Sequence, residues 1–174
     1  QMSAAFFASS MDASAAAEFA TATAKEASSS GLSSVDLAPV IKALTDKKLA
    51  AGACLAFKEF ASSPSLMPFV VQNLPKLIEA LNDKQKPVVS AAKEALTTIT
   101  DKMPVWAIGQ VLPMLMGGMK GKPAQKEACV AVVASVAKRG KVQVGACLVE
   151  LLPAVSELVW DVKKEVKAAA LDAL

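Results

Sequence analysis

The chain has 174 residues, 53% hydrophobic and 20% charged, with a net charge of +3, a mix too apolar for a disordered protein. Three cysteines and no histidine exclude a disulfide scaffold, His-based nucleophile pairs and most zinc sites, so no catalytic residue, metal or cofactor is expected. The longest charge-free stretch, 103–119, is interrupted by Pro104, Gly109, Pro113 and Gly117 and falls short of the ~20 apolar residues of a membrane span.

Residues 1–36 are dominated by Ala, Ser, Thr and Phe and carry a net charge of −3, against +6 for the rest. The stretch 12–27 suits a helix, with Met11, Ala15 and Phe19 on one face, and the Ser28–Gly31 run then serves as a linker. Ser3-Ala4-Ala5-Phe6-Phe7-Ala8 is similar to the Ala-Phe cleavage motif of plastid-targeted proteins, but no basic or long apolar region precedes it. The expected organisation is an Ala/Ser-rich leader over 1–36, with one docking helix, and a repeat domain over 37–174.

From Leu37 onward the sequence repeats. Leu37-Ala38-Pro39-Val40-Ile41-Lys42-Ala43-Leu44 aligns with Leu74-Pro75-Lys76-Leu77-Ile78-Glu79-Ala80-Leu81, then with Leu112-Pro113-Met114-Leu115-Met116 and Leu152-Pro153-Ala154-Val155. A period just under 40 with an early proline marks helical hairpins of the HEAT type. An Asp at 46, 83 and 161 is placed to cap the second helix of its pair, and that helix is rich in small residues, as in Ser90-Ala91-Ala92, which permit close approach. In the third unit Gly121 takes the place of the Asp, and this turn is expected to be the least rigid. The predicted helices are 37–44, 47–61, 68–81, 86–101, 105–119, 123–138, 142–159 and 162–174. Together they make an all-α, right-handed solenoid of about four HEAT-type helix pairs. Val130, Val132, Val133 and Val136 suit a strand by propensity, but the repeat register requires a helix there.

Trp160-Asp161-Val162-Lys163-Lys164-Glu165-Val166-Lys167-Ala168-Ala169-Ala170 closely resembles one HEAT repeat of the translation elongation factor 3 family. Leu151-Leu152-Pro153, Asp46-Lys47-Lys48 with Ala50-Ala51, and Pro104-Val105 with Ile108 and Leu112-Pro113 are similar to further parts of it, so the likeness covers about 37–174. The resemblance implies an armadillo-like helical scaffold that binds the ribosome, both rRNA backbone and ribosomal proteins, in the cytoplasm. In that family two ATP-binding cassettes follow the scaffold. No Gly-x-x-x-x-Gly-Lys-Ser/Thr phosphate loop occurs in these residues, so no enzyme is expected in this chain. The alternative is a stand-alone HEAT adaptor of another large protein assembly, in a plastid. Neither reading involves DNA or a transmembrane span.

Lysines recur at the turn into each second helix: Lys47 and Lys48, Lys84 and Lys86, Lys120 and Lys122, Lys163 and Lys164. Equivalent turns stack in a solenoid, so these eight are expected to form a ridge for RNA phosphates or an acidic partner. A lysine at a helix N-terminus opposes the macrodipole by ~0.3–1 kcal/mol, a cost that a bound phosphate offsets. A single arginine, Arg139, and no aromatic expected at the surface of this ridge argue against base-specific recognition. Lys138-Arg139-Gly140-Lys141 reads as a helix C-terminus, and Cys54, Cys129 and Cys147 as small core hydrophobes. Trp106 and Trp160 are expected to anchor the core or the repeat contacts, the alternative for Trp160, beside Asp161, being partial exposure at an interface. Val162, Val166, Ala169 and Ala173 are expected to face the paired helix. Val166, Ala170 and Leu174 drift to the neighbouring side, where further chain, a partner or the leader would cover them.

Overall fold

The computed structural model describes residues 18, 19, 21–23, 25, 26, 29, 37–46 and 48–174. The expected Ser3–Ala8 motif, the start of the leader helix and Lys47 lie outside the described residues. Among the described residues all regular structure is helical: α1 Ala38–Ala43, α2 Ala50–Phe60, α3 Met67–Ala80, α4 Lys86–Lys102, α5 Val105–Gly118, α6 Pro123–Arg139, α7 Lys141–Ala146, α8 Leu148–Leu158 and α9 Lys164–Ala173. None is long and apolar enough to cross a membrane.

The repeat prolines explain the register. Pro39 lies in the first turn of α1, where its missing N–H is unneeded, whereas Pro75, Pro113 and Pro153 lie inside α3, α5 and α8. These three helices begin further upstream of the shared proline than α1 does. They carry it at the cost of one intrahelical hydrogen bond each. The helix expected over 142–159 is two helices, α7 and α8. They meet at Cys147, whose backbone (φ −101°, ψ 4°) leaves the helical region, a break that the local residue types do not announce.

The chain divides into two compact units, residues 1–99 and 100–174. In the first, Phe57 stacks on Phe69 with ring centroids 5.5 Å apart, and Phe60 meets both edge-on at 5.9 and 6.1 Å. Offset and edge-to-face pairs of this kind add to plain area burial. Phe19 packs on Phe60 at 6.3 Å and is itself buried, so part of the N-terminal segment contributes to this core. Ala91, Ala92 and Ala95 of α4 are buried, and Lys58 of α2 reaches Glu94 of α4 at 3.3 Å, 36 residues along the chain.

The second unit is built on Met103, Ile108, Leu112, Leu115, Val130, Val133 and Val136, all buried. The valines lie on α6, as the repeat register requires. Arg139, at the end of α6, donates to the carbonyls of Thr100 and, at 2.8 Å, of Met103. It thereby supplies donors to carbonyls at and just past the end of α4, where the helix N–H ladder runs out. Beside it, a Cβ on Gly140 would come within 2.4 Å of Ile108 Cδ1, so a larger residue there would have to displace the end of that side chain. The Lys138–Lys141 run is thus a helix terminus with a structural task for its arginine.

Candidate partner-binding edge

Three turns share one construction. Oδ1 of Asp46, Asp83 and Asp161 accepts the backbone N–H two residues ahead, from Lys48, Gln85 and Lys163, at 2.8, 2.8 and 2.9 Å. This is an Asx turn and it corrects the expected helix cap. The N-cap of α9 is the extended residue Lys163 (φ −85°, ψ 127°), so each carboxylate shapes the approach to the helix rather than its first turn. In the third unit Gln125 Oε1 accepts the N–H of Lys122 at 3.2 Å. A Cβ on residue 121 would stand 2.0 Å from that oxygen. The glycine makes room for a different cap in place of the missing Asp.

These turns hold the lysines outward. Lys48, Lys84 and Lys86 in the first unit, and Lys120, Lys122, Lys163 and Lys164 in the second, are all exposed. In the second unit a short chain of bonds joins the two turns. Lys126 N–H donates to the Lys122 carbonyl at 3.0 Å, Lys126 Nζ donates to Asp161 Oδ2 at 2.7 Å, and Asp161 Oδ1 accepts from Lys163. The side-chain hydrogen bond from Lys126 and the backbone N–H of Lys163 hold the Asp161 carboxyl below its ordinary pKa. The one acid of this turn is therefore neutralised by a lysine outside the predicted set. Lys126 was legible in principle, standing 35 residues before Asp161, close to one repeat.

The remaining candidates divide. Trp106 and Trp160 are 53% and 84% exposed. Trp106, second in α5, departs from the expected anchoring in the core, whereas Trp160 takes the exposed alternative expected of it. Val166 and Ala170 are fully buried, α9 packing along α6 through them. Val166, expected both against a packed helix and on the neighbouring side, takes the first place. Ala170, expected only on the neighbouring side, is buried with it, whereas Leu174 is 60% exposed and Val162, expected inside, is 93% exposed. Val162 precedes the first residue of α9, so the helical spacing used to place it does not apply there. Burial pushes the thiols of Cys54 and Cys129 up to about 12, and Cys147 is half-buried.

The family model for the EF3 N-terminal HEAT repeat matches residues 12–174. Elongation factor 3A of Saccharomyces cerevisiae is 37% identical over 139 residues, which cover 76% of this chain and 13% of that protein. Elongation factor 3 of Candida albicans is 35% identical over 131 residues, 72% of this chain and 12% of that protein. The chain therefore spans only a small part of these relatives' length. Among solved structures, a microtubule polymerase with tumor overexpressed gene domain arrays superposes with a TM-score of 0.65 at 15% identity, covering 95% of this chain and 38% of that one. A computationally designed armadillo repeat protein for modular peptide recognition gives 0.51 at 20% identity, covering 92% and 73%. These likenesses show the fold, a stack of HEAT- or armadillo-type helical repeats.

Proposed function

The chain belongs to the family of elongation factor 3 N-terminal HEAT repeats, and on that premise we propose that it is a non-catalytic module that binds the ribosome in the cytoplasm through its lysine-bearing turns. The observation that carries this reading is a recurring placement: a turn closed by its own hydrogen bond, with exposed lysines in it or at the start of the helix that follows. Solvated lysines scattered at random would support solubility alone. Lysines recurring where they oppose the helix dipole support an anionic partner.

The test is co-sedimentation of the chain with ribosomes across a salt series. Binding should weaken linearly in log–log form as counterion release requires, and the combined variant K84E/K86E/K163E/K164E should lose it. Sedimentation that ignores both salt and charge reversal would reject the lysines as the contact. A second reading, an adaptor for another protein assembly, draws on Val142, Val149 and Leu152, which are 80%, 86% and 48% exposed on α7 and α8. It predicts that polar substitution of these three abolishes partner binding while the lysine reversals do not.

A further inference from the structure

We propose that the turn edge of the second unit takes a single-stranded stretch of RNA, with one unpaired base stacked on the indole of Trp160 and the flanking phosphates on Lys120, Lys122, Lys163 and Lys164. The inference rests on the reading above and names the form of the ligand that this edge accepts.

The two halves of such a site are both present. Trp160 is 84% exposed, and its backbone N–H is fixed to the Glu157 carbonyl at 3.2 Å, so a large aromatic face is presented from a closed turn. Single-strand binders combine a surface of this kind with a positive track for the backbone. The lysine track is gathered at the same place. Asp161, next to Trp160, bonds to Lys126 of α6 at 2.7 Å, and the Lys126 N–H bonds to the Lys122 carbonyl. The turn at 120–122 and the turn at 160–164 are therefore neighbours. The carboxylate that would repel a phosphate is already paired. Four exposed lysines outnumber the two exposed acids that flank the turn, Glu157 and Glu165, and Asp161 is paired, so the edge carries net positive charge.

Duplex RNA presents phosphates but keeps its bases stacked, so it would use the lysines and leave Trp160 in water. An acidic protein surface fits less well, because the buried centres of protein interfaces are depleted in lysine, whereas exposed lysines at 163 and 164 follow the aromatic within the same turn. Only a strand with an unstacked base engages both halves.

The chain has two tryptophans, so the variant W106F leaves Trp160 as the sole indole. Its fluorescence should be quenched by an unstructured RNA of roughly ten nucleotides, and not by a duplex of the same length or by poly-glutamate. In the otherwise native chain, W160A should weaken single-strand binding about tenfold, W160F should retain most of it, and duplex binding should change in neither. Equal affinity of W160A and the native chain for the single strand would overturn the proposal. So would equal losses in W160A and W160F, or quenching by poly-glutamate in competition with RNA. Because the indole is exposed, thermal melting should be the same in all three chains. Ribosome sedimentation that survives W160A but is lost on lysine reversal would sink the stacked base alone. Sedimentation indifferent to lysine reversal would sink the reading beneath it.

Discussion

Asp161 serves two partners at once, one oxygen on Lys126 Nζ and the other on the Lys163 N–H. Both favour the carboxylate, so its pKa is lowered on folding, and the stability it contributes is present above the unfolded value of about 3.9. That contribution is lost as pH falls below this value toward the depressed one. Chemical denaturation should accordingly find D161N less stable than the native chain near neutral pH, with the two curves converging in strong acid. Gln125 and Gly121 form a second such pair. Q125A should cost about 1 kcal/mol, the usual worth of a helix cap, and G121A should cost a similar amount, because its Cβ occupies the place of the Gln125 oxygen. The double variant should then cost little more than either alone. Additive losses in this cycle would show that the two residues act separately.

Most helices were readable from spacing alone. Leu74, Leu77, Ile78 and Leu81 of α3 and the turn after it are all buried, as a 3.6-residue apolar stripe demands. The lysine turns were readable too, since Asp and Lys recur at one register and the structure exposes every described member. What sequence could not supply was the orientation of residues at helix ends. Val162, Val166 and Ala170 were ordered by counting along one helix, yet Val162 lies before it and the true buried stripe is Val166 with Ala170. Trp106 was misplaced for a related reason, since hydrophobicity argues for burial but a residue at a helix start is aimed by its backbone, whereas Trp160 took the exposed place that its position beside Asp161 allowed. The element-level prediction follows from the corrected stripe. V166A should destabilise α9 by about 2 kcal/mol through lost burial. Hydrogen exchange should show that loss as faster exchange across 164–173, and equal protection in both chains would return Val166 to the surface.

At the scale of the whole molecule, the repeat period is also a contact period. Lys58 meets Glu94 36 residues on, Lys126 meets Asp161 after 35, and Arg139 meets Met103 across 36, so neighbouring copies are tied within each unit. Such stacks open repeat by repeat rather than all at once. Cys54 and Cys129 lie one in each unit, fully buried and with thiols raised to about 12. At neutral pH, Cys147 should therefore react first with a thiol reagent. Cys54 and Cys129 should follow at rates set by the opening of their own units, separable by mass mapping. Simultaneous labelling of all three would contradict this.

The described phenylalanines, Phe19, Phe57, Phe60 and Phe69, all sit in the core of the first unit, while both tryptophans are exposed in the second and the chain has no tyrosine. The chain's optics are thereby partitioned. An indole already in contact with water has little environment to lose, so its emission colour should hardly register denaturation. Ellipticity from immobilised phenyl rings, in contrast, should vanish with the order of the first unit and stay silent about the second. A tryptophan signal that changes at constant temperature is then a report of something arriving at the surface rather than of the protein coming apart.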